Sequence, residues 1–298
     1  MNKLYKTLLL RLMIVCAASV ICAAQAQSAS KSLLWQVKSK SNTVYLFGTI
    51  HVGKLSFYPL PDAVEGAFKK SAKLVVEADV TNLDSMAATL PLMKYTPPDS
   101  LDTQIPKPLL DRAKVQFARF KIPYEEAKLL KPFMVGGLLS IAEFTRLGYD
   151  QRYGVDGYFI EKAVLGGKAV LELESVEQQM KLLSSLAREE QEAVLSNAIS
   201  ALESGKATEQ ITGMFNAWSI GDASLLQDVV KQANEGMSMT VVLDEKMLYG
   251  RNPAMLSKIE GYLAGAQIHF VAVGAMHLVG KRGLVEMLKT KGYEVKQL

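Results

Sequence analysis

Apolar and polar positions divide the chain into strand-like ends and a helical middle. Residues 33–37 and 43–47 are apolar runs either side of a polar Lys-Ser-Lys-Ser-Asn turn, which predicts a β-hairpin. Pro59 and Pro61 precede a short helix over 62–70, and 73–79 is a third strand with polar residues at its end. This βαβ pattern over 44–79 predicts parallel neighbours joined by a right-handed crossover. His51 and Glu77 would then emerge at one sheet edge. From 82 to 147 the period becomes helical, cut into pieces by Pro91, Pro97, Pro98, Pro106, Pro123 and Pro132. A helix over 154–163 stops at Gly166-Gly167, and a short strand over 168–173 ends at Glu174. Ser175 with Gln178 three residues on has capping-box spacing and opens one long amphipathic helix over 175–204. Helices fill 207–264 with breaks near Gly221 and Gly236. A strand over 268–273, a helix over 281–289 and a strand over 293–296 complete the chain.

Strands at both chain ends imply an α/β fold in which the ends pair in one sheet or in two related half-sheets. The helical middle, roughly 82–165 and 175–264, would cover that sheet as a cap. No low-complexity linker interrupts 27–298, so a single domain is expected.

The first residues depart from this pattern. Lys3, Lys6 and Arg11 precede an acid-free apolar run over 8–24, and Ala24-Gln25-Ala26 fits a small-x-small cleavage site. That is a secretory signal peptide over 1–26, with Gln27 as the first mature residue. It predicts a periplasmic or secreted protein. The apolar run is short for a membrane span, and Ile21 is a poor residue before a lipidated Cys22. Both cysteines, Cys16 and Cys22, lie inside the signal. The mature chain therefore has no thiol for a nucleophile, a metal site or a disulfide. Removing Lys3, Lys6 and Arg11 lowers the formal net charge from +4 to +1. That balance gives no reason to expect nucleic acid or a membrane surface as partner.

Two of the three histidines share one local pattern. Gly48-Thr-Ile-His51 and Gly274-Ala-Met-His277 each follow an apolar strand. Imidazole is a common metal ligand and a common general base near neutral pH. Gly48 and Gly274 would let the chain turn sharply and a ligand approach the backbone. Glu77 and Glu174 each end a strand, and Asp79, two residues past Glu77, would share its face. Two histidines and a carboxylate suit a divalent metal with open positions. Arg251, ahead of a helix start, could hold an anionic group or meet an oxyanion. His269, within its strand, reads as a packed residue. Sequences for a zincin His-Glu-x-x-His, a Gly-x-Ser-x-Gly elbow, a phosphate loop and a dinucleotide Gly-x-Gly-x-x-Gly are absent. A metal-dependent hydrolase and a non-catalytic binder of metal, haem or peptide both remain open on these residues.

Seven segments together resemble the TraB/GumN family of secreted bacterial proteins, which is related to the animal TIKI proteases. They are Leu46-Phe-Gly-Thr-Ile-His51-Val-Gly53, Val76-Glu77-Ala-Asp79, Gly154-Val-Asp156, Leu173-Glu174-Ser-Val-Glu177-Gln-Gln179, Trp218-Ser-Ile-Gly221-Asp222, Arg251-Asn252 and Val273-Gly274-Ala-Met-His277-Leu-Val-Gly280. The resemblance implies a split, partly parallel sheet like that of erythromycin-esterase-like and ChaN-like proteins. It also implies a metal-dependent protease centre on His51, His277 and Glu77, a divalent ion such as Mn, Co or Zn, and a peptide or protein substrate. Asp156 and Glu174 enter the candidate set with the motifs that carry them.

Overall fold

The computed structural model describes residues 31–298. The signal peptide expected over 1–26 and its cleavage site lie outside the described residues. Six strands form one mixed sheet with helices around it: β1 Leu34–Lys38, β2 Thr43–Thr49, β3 Lys73–Val76, β4 Ala169–Glu172, β5 His269–Gly274 and β6 Glu294–Gln297. Their spatial order is β4-β3-β5-β2-β1-β6. β4, β3, β5 and β2 run parallel, while β1 is antiparallel to both β2 and β6. Both chain ends therefore meet in a single sheet.

The β1–β2 hairpin pairs Leu34 with Phe47 and Lys38 with Thr43. Its polar turn is anchored by Asn42, whose Nδ2 donates to the carbonyls of Tyr262 and Gln267 at 2.8 and 2.9 Å. The crossover helix Asp62–Lys70 forms as its proline-preceded start predicts. The strands it joins are not neighbours, however, because β5 lies between β2 and β3. A crossover that skips one position leaves a slot buried on both faces, and only a strand apolar on both faces can fill it. Phe270, Val271, Ala272 and Val273 are all fully buried there. β2 also continues through Gly48 to Thr49 rather than breaking at the glycine. A Cβ on Gly48 would lie 3.0 Å from Ala275 Cα, so this glycine admits a neighbouring backbone, not a turn or a ligand.

The helix expected over 175–204 is two, Val176–Ser184 and Arg188–Glu203. Ser175 and Gln178 close the capping box that the spacing predicts. The break comes where Ser184 and Ser185 bond back to the carbonyls of Lys181 and Leu182, and Glu190 caps the amide of Ala187 to start a second helix. That second helix packs with Lys107–Phe120 and Pro132–Arg146 around Leu110, Phe117, Leu139, Leu195 and Ile199. Helices Val155–Leu165 and Asn252–Ala264 instead contribute Phe159, Ile160, Met255, Ile259 and Leu263 to the sheet's own core. These two helices bring their N-terminal ends to the site.

Candidate functional site

The site lies at the C-terminal edge of the four parallel strands, where crevices form in open α/β sheets. His51 follows β2, Glu77 follows β3, Glu174 follows β4, and His277 sits in the one-turn helix Ala275–Leu278 after β5. Insertion of β5 between β2 and β3 sets the His277 turn between the other two. The repeated Gly-x-x-His pattern thus adopts two local structures. The first runs from strand into a bend, and the second is a helical turn. Backbone pairing continues past the strands, with Glu77 N–H on the Ala272 carbonyl at 3.1 Å and Glu174 N–H on the Glu77 carbonyl at 2.8 Å. The two carboxylates are therefore held by the main chain as firmly as strand residues.

Glu77 is 8% exposed and almost fully engaged. One carboxylate oxygen accepts from the Gly274 amide at 3.0 Å. The other accepts from Arg251 Nη2 and from Gln179 Nε2, the latter at 2.9 Å. His277 Nε2 lies 3.6 Å from that same oxygen. A Cβ on Gly274 would come within 3.1 Å of the carboxylate, so the glycine makes room for it. Burial alone would push the Glu77 pKa up. The contact with His277 and the charges of His277, Arg251 and His51 outweigh burial and hold the carboxyl well below the usual range.

Arg251 bridges the two strand-end carboxylates. Its Nε donates to Glu174 at 3.0 Å, Nη2 donates to both Glu77 and Glu174, and Nη1 donates to the Met247 carbonyl at 2.8 Å. Burial opposes its charge, and the two carboxylates nevertheless raise its pKa. A π-helical turn, Glu245–Tyr249, precedes it. Such turns displace the residues that follow by one position relative to an α-helix.

The two histidines are held alike. His51 Nδ1 meets Asp156 Oδ2 at 2.9 Å, and Thr49 Oγ1 donates to the other oxygen of Asp156. His277 Nδ1 meets Asn252 Oδ1 at 2.7 Å. The Asp156 hydrogen bond and charge raise the His51 pKa from 6.5 to about 9, with burial and Arg251 opposing and Glu77 assisting. His51 thus feels both charges of the Glu77–Arg251 pair. Its side chain is 71% exposed although protein surrounds the crevice, so the direct Asp156 bond, which solvent screens least, dominates. His277 is 4% exposed.

The structure thus brings Glu77, Glu174, Arg251 and His277 into direct contact, with His51 and Asp156 beside them. Asp79 turns away. β3 ends at Val76, and the Asp79 carboxylate accepts from the Thr81 amide and hydroxyl in a local turn. His269 is buried, stacked on Tyr262 at 4.4 Å and bonded to the Gln267 carbonyl. Asn252, Thr49 and Gln179 complete the site, and spacing along the chain offers no cue to them, since their partners lie 25, 107 and 102 residues away. Trp218 ties the helix Ala207–Ser219 to β2 through Nε1 on the Gly48 carbonyl at 2.8 Å.

The site suits a divalent cation in chemical kind. With Nδ1 facing an acceptor, each imidazole turns Nε2 towards the site, where an ion would have to displace any proton that nitrogen carries, the arrangement found behind metal-bound histidines. Glu77 and Glu174 share the single guanidinium of Arg251, which leaves that trio one negative charge in excess, while Asp156 pairs with His51. As the side chains lie, no three His, Cys, Asp or Glu groups among the described residues stand close enough together to enclose an ion.

The model of the TraB/PrgY/gumN family matches residues 33–297. The chain is 26% identical to a protein of Escherichia coli (strain K12) named Uncharacterized protein YbaP, over 82% of this chain and 87% of that one. It is 25% identical to Metalloprotease TIKI homolog of Amphimedon queenslandica and 22% identical to Metalloprotease TIKI1 of Homo sapiens. Each of those alignments covers 90% of this chain, which spans 61% and 62% of the two relatives. No solved structure matches the chain. Among the described residues no helix is long and apolar enough to cross a membrane. The family match spans the whole sheet and every residue of the site, and the chain belongs to the TraB/PrgY/gumN family.

Proposed function

We propose that the chain is a metal-dependent hydrolase that cleaves peptide bonds in the periplasm. The observation that carries this reading is the pair of histidines whose Nδ1 atoms are tied back to Asp156 and Asn252, beside the ionised Glu77. Similarity to proteins named metalloproteases supports the same reading. His51 and His277 would hold the ion through Nε2, and Glu77 would contribute the compensating negative charge. A bound divalent ion supplies Lewis-acid polarisation of the scissile carbonyl and lowers the pKa of water. Glu77, fixed by bonds from Gly274, Arg251 and Gln179, would act as the charged member of the set. Arg251 spends donors from all three of its nitrogens on Glu77, Glu174 and the Met247 carbonyl. Its first part is to hold the carboxylates together, with one Nη1 N–H left over.

The test is elemental analysis of the purified protein alongside digestion of a peptide library. About one divalent ion per chain and cleavage that a chelator stops are expected. An ion without cleavage would favour a periplasmic binding protein, and neither ion nor cleavage would remove the hydrolase reading. The compartment has its own check. N-terminal sequencing of the periplasmic fraction should read from near Gln27, and recovery of the intact Met1 chain in membranes would contradict it.

A further inference from the structure

We propose that Asp156 and Asn252 are positioning residues that hold a ring proton on Nδ1 of His51 and of His277, so that Nε2 is the nitrogen each ring turns to the site. The inference rests on the metal-site reading for its purpose but not for its geometry.

Each partner is itself fixed. Asp156 is 7% exposed and lies in the first turn of the helix Val155–Leu165. Thr49, 1% exposed at the end of β2, donates to one of its oxygens and leaves the other for His51 Nδ1. A carboxylate offers only acceptors, so the proton between Asp156 and His51 sits on Nδ1 of the ring. Asn252 is fully buried at the start of the helix Asn252–Ala264. An amide could in principle face His277 with either end. Here its Nδ2 donates to the Arg282 carbonyl at 2.9 Å and points to the His277 carbonyl at 3.5 Å, so Oδ1 is the end that meets Nδ1. The proton is again on the ring.

The fold supplies these partners from outside the strands that carry the histidines. Asp156 comes from a helix that packs on the sheet core through Phe159 and Ile160, and Asn252 from one that packs through Met255 and Ile259. Close backbone approach locks the first pair further. A Cβ on Gly154 would lie 2.4 Å from the His51 carbonyl, so the loop ahead of Asp156 is pressed against the His51 main chain. Loss of either partner frees a ring to rotate or change tautomer, and an Nε2 proton there would block its lone pair.

The test uses the full mature chain labelled with 15N-histidine, which gives only three rings to assign. His269, bonded through Nδ1 to the Gln267 carbonyl, is an internal reference. In metal-free protein, recorded above the His51 pKa of about 9 so that its ring is neutral, long-range 1H–15N correlation should show the proton on Nδ1 of His51 and His277. Asp156→Ala should release the His51 ring to the Nε2–H form and leave His277 unchanged. Asn252→Ala should do the converse. Each should weaken Co2+ binding about 10- to 100-fold. Asp156→Asn and Asn252→Asp keep an acceptor in place and should restore much of the affinity. If Asn252→Ala fails to fold, Asn252→Ser serves instead, since its shorter side chain withdraws the acceptor from His277 Nδ1 while keeping a polar group in the buried position. An Nε2 proton on His51 or His277 in the unaltered protein would overturn the proposal, as would alanine variants with unchanged tautomers. If the unaltered protein shows Nδ1 protons but binds no Co2+, the positioning stands and the metal-site reading falls.

Discussion

Glu77→Gln is expected to abolish divalent-ion occupancy or lower hydrolysis by about 100-fold or more, the scale at which an essential charged group acts. The substitution keeps shape and removes charge. In the native site Glu77 and Glu174 face one guanidinium, so the trio carries one negative charge in excess. With glutamine the trio becomes neutral, and the charge that would draw a cation beside His277 is gone. Folding should survive, because Arg251 keeps Glu174 as its partner; the amide oxygen can accept from the Gly274 N–H or from Arg251 and Gln179 but not both, so some stability is lost. Glu177→Gln is the control. Glu177 is exposed and paired only with Lys181 one turn along its helix, and its loss should leave occupancy and rate unchanged. The measurement is metal content and hydrolysis for both variants, with circular dichroism for folding. Full occupancy and full rate in Glu77→Gln would remove Glu77 from the centre of the site.

Arg251→Ala should have the largest effect on stability, a loss of about 3–5 kcal/mol, because it strands buried carboxylates without their counter-charge. The side chains of Arg251, Glu77 and Glu174 are only 15%, 11% and 13% exposed, so water cannot replace the guanidinium. Lys181→Ala, which breaks a pair 63% and 57% exposed, should cost under about 1 kcal/mol. Denaturant unfolding of the two variants measures the contrast. Combining Arg251→Ala with Glu174→Gln should recover part of the loss, since one uncompensated charge is then removed. An Arg251→Ala variant as stable as the unaltered chain would mean that the three side chains do not form the buried network described.

Residues that look alike along the chain take different roles once it folds. Arg251 in one dimension is a cation before a helix, equally suited to an anionic ligand or to solvent. Only its bonds to Glu77, Glu174 and the Met247 carbonyl show that four of its five N–H donors are already committed. Asp79 and Glu77 look equivalent at a strand end, yet one closes a turn on Thr81 and the other enters the crevice. The strand stops at Val76, and alternation has no meaning beyond it.

Local periodicity determined most elements by itself. The hairpin, the crossover helix, the Ser175–Gln178 capping box and the strands at both ends follow from patterns a few residues long, where propensity and capping act. The paired Gly-x-x-His motifs likewise single out His51 and His277 from four residues of chain each. The tertiary structure alone decided that β5 enters between β2 and β3, because β2, β3 and β5 are all buried on both faces and their local patterns do not rank them for the central place. That single insertion places His277 between His51 and Glu77. It also decided which groups stand behind the histidines. Asp156 and Asn252 reach them from helices 105 and 25 residues away, and a hydrogen bond across such distances leaves no trace in the order of the residues.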